Sequence, residues 1–507
     1  MIDSHAHLNF RKLSKKLDEV METAREAGVF TVANIGIDLD TSKESIKLAE
    51  KYPDIIATVG IHPNTKISDN ELENSILEIE KLAKHPSVIA IGEIGLDYYR
   101  DHVYPQKQKI MFRKQLELAS KLDMPISLHI RPSKENFHDV FDDFKKIFME
   151  YPHLDGVLHA FAGDENFVKW TLENTKLYFG LGGPITFKNY KNYDAIRQMP
   201  MDRIVTETDC PFLAPHPYRG KTNEPAMITH IADRLSKFFR KPIDEIDSVT
   251  SNNAANLYSI GLPGTGQSQV FLKSKKSLEQ IASIFDNIEK SPIALEIGAG
   301  QAVLTKKLCQ RYEKVYAIEP DLGVYPLDFK DACVIPKSIL DVNIPAISEY
   351  EGKKLAIFGN IPYHLTSDIL FYLLKNIESI DCIALLVQKE VAKRLSARPG
   401  NRDYGIPTIL LGNLFEISFR FSISARAFKP KPDVDSAVIT MIPRESPIYK
   451  PKDYKLFEFI VQSAFGQRRK MMRKSLKGKI KNLPSRFAKK RPEELRIEDF
   501  GEIADMN

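Results

Sequence analysis

Eight short apolar runs recur through the first 260 residues, each followed by an amphipathic stretch of helical length. The runs are "MID", "FTVANIG", "IIATVGI", "VIAIGEIG", "PISLHI", "GVLHAF", "KLYFGLG" and "DRIVTETD". Helix-period segments such as "SDNELENSILEIEKLAKH" and "YPQKQKIMFRKQLELASKL" lie between them. Eight strand–helix units at this length imply a parallel (β/α)8, or TIM, barrel. Such a barrel gathers the carboxyl ends of its strands at one face, so residues that end the runs converge however far apart they lie in the chain.

The remaining residues have a different character. Residues 1–260 carry 33 Lys and Arg against 38 Asp and Glu, whereas residues 261–507 carry 39 against 29. Eleven of the 12 histidines precede residue 261, and only His364 follows it. "GLPGTGQSQ" sits at the change, with the composition of a linker. These features imply two domains: a barrel over 1–260, a linker over 261–267, then a second α/β domain. That domain opens with strand, helix and strand ("PIALEIG", "KVYAIE"). It reads as a Rossmann-like sheet over 268–443 and a basic helical subdomain over 444–507. No run approaches 18 apolar residues, and the chain opens on "MIDSHAHLNF", so neither a membrane span nor a secretory signal is expected. Four scattered cysteines without C-x-x-C fit a reducing cytoplasm.

Polar residues end the barrel runs in a consistent way. His5 and His7 follow "MID", His62 follows "TVGI", and Glu93 lies in "AIGEIGLD". His129 ends "PISLH", His159 follows "GVL", and Asp209 ends "IVTETD". H-x-H on an extended strand puts two imidazoles on one face, as chelation requires. A carboxylate such as Glu93 has two oxygens and can bridge two cations, which together can clamp an in-line phosphoryl displacement. The ligand types leave magnesium, manganese and zinc open. His85, His102, His138, His153, His216 and His230 read as ordinary surface or core groups.

"DSHAHL", "GIHP", "GEIGLDYYR", "LHIR", "LHAFAG", "ETDCPFLAP" and "RGKTNEP" together resemble the signature segments of the TatD-type metal-dependent deoxyribonucleases, over residues 1–260. The resemblance implies two divalent metal ions held by His5, His7, Glu93, His129, His159 and Asp209, with Glu93 bridging. It implies that His62 and Arg131 contact the substrate phosphate. Asp209 would also take a proton from the attacking water, and the substrate would be DNA, processed from strand ends. Pro132 and Ser133 depart from the family at the rim. A small phosphoester or amide is the competing substrate.

The second domain carries "ALEIGAGQAVLTKKL", a strand entering a Gly-x-Gly turn and then a helix, with Glu319 closing the next strand. A glycine turn admits a ligand to the backbone, and an acid there can take both hydroxyls of a ribose. Glu296, just before the turn, suits S-adenosylmethionine better than a pyrophosphate. Asn360-Ile361-Pro362-Tyr363 follows the strand "KLAIF". There an Asn carbonyl, with a backbone carbonyl held by the proline, can accept both hydrogens of an exocyclic amine while Tyr363 stacks on the base.

From Ser268 onward the chain resembles the ribosomal small-subunit rRNA adenine dimethyltransferases, through "SQVFL", "LEIGAGQAVLT", "AIEPD", "GNIPYHLTS", "VQKEVAKRLSARPGNRDYG", "AFKPKPDVDSAV" and "FGQRRKMMRKSL". The resemblance implies S-adenosyl-L-methionine as cofactor and 16S rRNA in the small subunit as partner, with two adjacent adenosines dimethylated. Gln269, Leu272, Glu296, Gly298, Gly300, Glu319, Ser338 and Asn360 would line the donor site. Asn360, Pro362, Tyr363 and Phe428 would hold the target base. Ser338 stands where the family places an Asp on the donor's adenine amino group, and Pro320 and Pro326 replace an expected helix. A weak or inactive RNA-binding module in ribosome assembly is therefore the rival for this half. Twelve Lys and Arg without an acid, from Gly466 to Arg491, make Arg468, Arg469, Lys470, Arg473 and Lys474 the candidate RNA contacts, on a helix anchored by Met471, Met472 and Leu476.

Overall fold

The computed structural model describes residues 1–100, 102–264 and 270–507. All eight barrel strands form where the apolar runs lie: β1 (Ile2–Ala6), β2 (Thr31–Asn34), β3 (Ile55–Val59), β4 (Val88–Asp97), β5 (Ile126–Arg131), β6 (Gly156–His159), β7 (Tyr178–Leu181) and β8 (Ile204–Thr206). They pair in parallel in chain order. Both strand faces are apolar because both are covered. Val32, Ile55, Ala57, Val88 and Ile204 pack with the surrounding helices. Their alternates Ala33, Ile56, Ile89, Val157 and Val205 pack with one another and with Tyr258.

The seam between β1 and β8 closes with few bonds. Ser4 Oγ donates to Thr206 O at 3.0 Å, Asp209 N to His5 O at 2.9 Å, and His7 N to Cys210 O at 2.7 Å. Local chemistry sets the helix starts. Ser68 caps Asp69–Leu82 by accepting from Glu71 N, while the Glu71 carboxylate accepts from Ser68 N. Pro105 opens Pro105–Leu122, which stops at Asp123 in the left-handed region.

By packing, the chain divides into two units: Met1–Gly266 with Glu319–Tyr350, and Gln267–Ile318 with Glu351–Asn507. In the first unit, β12 (Cys333–Ile335) follows a stretch from Glu319 that contains no helix, as its prolines predict. Gly261 N donates to Pro336 O at 2.8 Å.

The second unit holds β9 (Phe271–Leu272), β10 (Ile293–Ile297), β11 (Lys314–Ile318), β13 (Leu355–Asn360), β14 (Ile380–Gln388), β15 (Phe415–Ile423), β16 (Phe428–Lys429) and β17 (Ser436–Pro443). Its main sheet runs β11-β10-β13-β14-β17-β15. β10, β11, β13 and β14 are parallel, and β17 is antiparallel to both of its neighbours. Chain order reverses around β10, so its carboxyl end lies at a topological switch point, where open α/β sheets bind ligands. A separate core of Tyr404, Ile409, Phe457, Ile460, Met472, Leu476, Phe487 and Phe500 gathers the C-terminal helices. Among the described residues, no helix is long and apolar enough to cross a membrane.

Candidate functional site

The barrel mouth brings together every ligand expected from the sequence. Glu93 is the hub. Its Oε2 lies 3.7 Å from His5 Nε2 and 3.8 Å from His7 Nε2, and its Oε1 lies 2.7 Å from His129 Nδ1 and 4.0 Å from His159 Nε2. Asp209 Oδ1 lies 3.4 Å from His7 Nε2 and 3.9 Å from His159 Nε2. The donor atoms fall into compact groups, His5–His7–Glu93 and Glu93–His129–His159, with Glu93 common to both.

Backbone geometry aims that carboxylate. The β4–β5 register slips between Ile91 and Ile94, and Gly95 holds φ +140° with its hydrogen facing His129 O. A Cβ there would sit 2.1 Å from that oxygen, so only glycine fits.

The donors suit cations. His5 Nε2 is buried with no hydrogen-bond partner among the described residues, and the His5 ring stacks on His159 at 3.4 Å. Burial and the neighbouring His159 charge push the His5 imidazole down. Burial pushes His62 down to about 4. In His129 and His159 burial acts in the same direction, but the facing carboxylates outweigh it and raise them to about 9 and about 10. Burial works against the ionised forms of Glu93 and Asp209, yet the surrounding imidazoles keep Glu93 well below, and Asp209 below, the usual carboxylate range. Cation binding in place of those protons satisfies the same carboxylates.

His62 joins the cluster, with Nε2 3.7 Å from Glu93 Oε1. Arg131, the last residue of β5, is half-buried, its guanidinium 3.9 Å over the Tyr99 ring. The six histidines read as ordinary stay outside: His85 meets Glu50 at 3.2 Å, His153 meets Ser120 at 2.9 Å, His230 lies against Tyr218, and His102, His138 and His216 are exposed.

In the second unit, the turn after β10 holds Gly298 at φ +72° and Gly300 at φ +51°. Gly298 N and Ala299 N both donate to Ile318 O, at 2.9 and 3.1 Å. A Cβ on Gly298 would lie 3.3 Å from the Asn360 carbonyl oxygen, so the cradle is built for glycine. The helix expected next is a single turn, Thr305–Leu308, because Ala302 also sits at positive φ and delays its start. Asn360 Nδ2 donates to Val270 O at 2.8 Å, which turns the amide oxygen toward an incoming donor. Tyr363 is half-buried, its hydroxyl 2.7 Å from Ser436 Oγ, and Pro362 is exposed. Leu272 and Phe428 are buried partners across β9 and β16, so Tyr363 offers the more open ring.

A family model described as "TatD related DNase" matches residues 2–259, and one described as "Ribosomal RNA adenine dimethylase" matches residues 265–505. An uncharacterized metal-dependent hydrolase of Bacillus subtilis is 36% identical over 261 residues, 51% of this chain and 99% of that protein. Ribosomal RNA small subunit methyltransferase A of Bacteroides thetaiotaomicron is 35% identical over 243 residues, 46% of this chain and 89% of that protein. The chain belongs to both families. Among solved structures, a TatD homologue of Escherichia coli shares 28% identity over 51% of this chain and 98% of its own, with a TM-score of 0.46. A dimethyladenosine transferase of Plasmodium falciparum shares 23% over 46% and 95%, with a TM-score of 0.41. The TatD half is thus a metal-dependent hydrolase domain, and the dimethylase half an S-adenosylmethionine-dependent rRNA methyltransferase domain.

Two carboxylates of the TatD half escaped the sequence reading. Asp97 Oδ2 lies 3.2 Å from His129 Nε2 and accepts from Asn64 Nδ2 at 2.7 Å. Glu207 Oε1 lies 2.9 Å from His159 Nδ1 and accepts from Ala160 N at 2.6 Å. Each meets one of these imidazoles at the nitrogen that does not face Glu93, which fixes the ring's orientation.

In the dimethylase half, Gln269 lies outside the described residues. Glu296 is buried at the end of β10. Glu319 is buried in the first unit, where it accepts from Asp321 N at 3.0 Å. Ser338, in that unit too, caps the short helix Ile339–Asp341 by accepting from Leu340 N at 3.3 Å. The basic segment departs from expectation. It holds only two single-turn helices, Met472–Ser475 and Ser485–Ala488, and of the three expected anchors Met471 is exposed while Met472 and Leu476 are buried. Unopposed like charges and Gly478 keep a longer helix from forming. Arg469, Lys470, Arg473 and Lys474 are exposed, and Arg468 is half-exposed beside Glu493.

Proposed function

We propose that the barrel hydrolyses phosphodiester bonds of DNA from strand ends with two divalent cations, and that the second half dimethylates adjacent adenosines of small-subunit rRNA. The observation that carries the first reading is the shared position of Glu93 in two donor groups. His5, His7, Glu93 and Asp209 would hold one cation, and Glu93, His129 and His159 the other. Bound there, two cations supply Lewis-acid activation and charge neutralisation at a phosphate. Asp209, ionised, accepts the proton of the attacking water. His62, neutral, and Arg131 hold phosphate oxygens as donors. Asp97 and Glu207 keep the imidazoles aligned.

For the second half, Gly298 and the Asn360 amide support the reading. S-adenosylmethionine supplies an electrophilic methyl group when bound. Asn360 Oδ1 accepts one amino hydrogen of the adenine and directs the nitrogen lone pair outward, while Tyr363 stacks on the base. The exposed Lys and Arg of the basic segment would bind rRNA phosphates.

The test is a metal-stripped chain given magnesium, manganese or zinc with single-stranded DNA, and radiolabelled S-adenosylmethionine with undermethylated small subunits. Terminal nucleotides released only with metal, and label incorporated into rRNA adenines, are expected. Failure with all three metals removes the nuclease reading. Unlabelled rRNA leaves the second half as a binding module.

A further inference from the structure

The rim of the TatD half carries two cations on one exposed aromatic ring. Arg131 Cζ lies 3.9 Å and Lys134 Nζ 4.7 Å from the centroid of Tyr99, which is 43% exposed. Neither cation has a carboxylate within ion-pair distance among the described residues. That is unexpected in residues 1–260, where acids outnumber bases 38 to 33. Two like charges side by side repel, and a ring quadrupole holds each only weakly, so the pair gains most from an anion placed between them.

The ladder fixes where that anion would sit. Asp97 and Arg131 are register partners in β4 and β5, and Tyr98 N donates to Arg131 O at 2.9 Å. Tyr99 N donates to Asp97 Oδ1 at 2.9 Å, and the other Asp97 oxygen faces His129. Arg131 follows His129 by two residues on the same strand face, about 6.6 Å farther toward the rim. The ring and its cations are therefore anchored to the same carboxylate that holds a metal-ligand imidazole, one step outside the ligand cluster.

The geometry points to a second phosphate subsite, in which Lys134, held on the Tyr99 ring beside Arg131, grips the phosphodiester next to the one that Arg131 contacts. It rests on the reading of the barrel as a phosphodiesterase and narrows its substrate to polynucleotide ends, against esters with a single phosphate. Tyr99 is a positioning residue here: its ring face holds the cations, and its hydroxyl is not required.

The experiment compares the trinucleotide pTpTpT with the p-nitrophenyl ester of thymidine 5′-phosphate, using the full chain loaded with metal. Lys134→Gln should lower the ratio of kcat/KM for the trinucleotide to that for the ester by about fivefold, through KM, with Tyr99→Leu lowering it at least as much. Lys134→Gln should also flatten the salt dependence of trinucleotide kcat/KM by about 0.7 log unit per log unit of salt. Tyr99→Phe should keep the wild-type ratio. Unchanged ratios in folded Lys134→Gln and Tyr99→Leu, or a Tyr99→Phe loss equal to that of Tyr99→Leu, overturn the subsite. A wild-type chain that cleaves neither substrate overturns the phosphodiesterase reading itself, whereas one that cleaves only the ester, also a phosphodiester, overturns the subsite. Either outcome is visible before any variant is made.

Discussion

His129 and His159 illustrate how one residue's surroundings set the chemistry of the whole cluster. Both sit near 9 to 10 because Asp97, Glu93, Glu207 and Asp209 face them. In the metal-free chain their raised folded values stabilise the protein fully below the unfolded value of 6.5. That contribution is lost as pH rises through about 9 and then about 10. The same shifts leave both protonated at pH 7, so cation binding should release roughly two protons per chain. Calorimetry in buffers of different ionisation enthalpy measures this; no buffer dependence would show that the two imidazoles bind metal without losing a proton. A second residue-scale expectation concerns Ser338. A carboxylate there forms a charge-assisted hydrogen bond that a hydroxyl cannot, so Ser338→Asp should tighten S-adenosylmethionine binding about fivefold. Equal or weaker binding by calorimetry would mean that the helix-free stretch before it has rerouted the pocket.

At the scale of elements, strands were easier to read than helices. Each barrel strand is an apolar run, and burial on both faces demands that pattern whatever the neighbours are. The site followed, because strand ends converge by topology. Asp97 and Glu207 were not legible, since they act on imidazole nitrogens whose direction only the folded ladder fixes. Helices after the glycine turn and through the basic segment fell short for local reasons: positive φ at Ala302, and unopposed charge around Met472–Ser475. The exposure of those cations still supports an rRNA contact. Replacing Arg468, Arg469, Lys470, Arg473 and Lys474 by Gln should flatten the slope of log K against log salt for small-subunit binding by about two units or more. A folded variant with an unchanged slope would make the segment a solvated surface.

Over the whole molecule, no residue of the metal-ligand cluster lies in the second unit. Glu93→Ala or Asp209→Ala should therefore abolish metal-dependent hydrolysis and leave methyl transfer within a few-fold, when both activities are measured on one preparation. Hydrolysis surviving in both variants would refute the ligand assignment. The β1–β8 seam adds a consequence in time. His5 and His7 emerge first during synthesis, but Ser4 must wait for Thr206, 202 residues later, before its strand has a second neighbour. Non-local closure of this kind is slow, and domains fold as units while the chain is still being made. A nascent chain stalled short of Thr206 carries most of the histidines without Asp209 and without a closed wall to hold them in place. The donor set at the barrel mouth is thus a late product of synthesis, complete only when the last strand docks against the first.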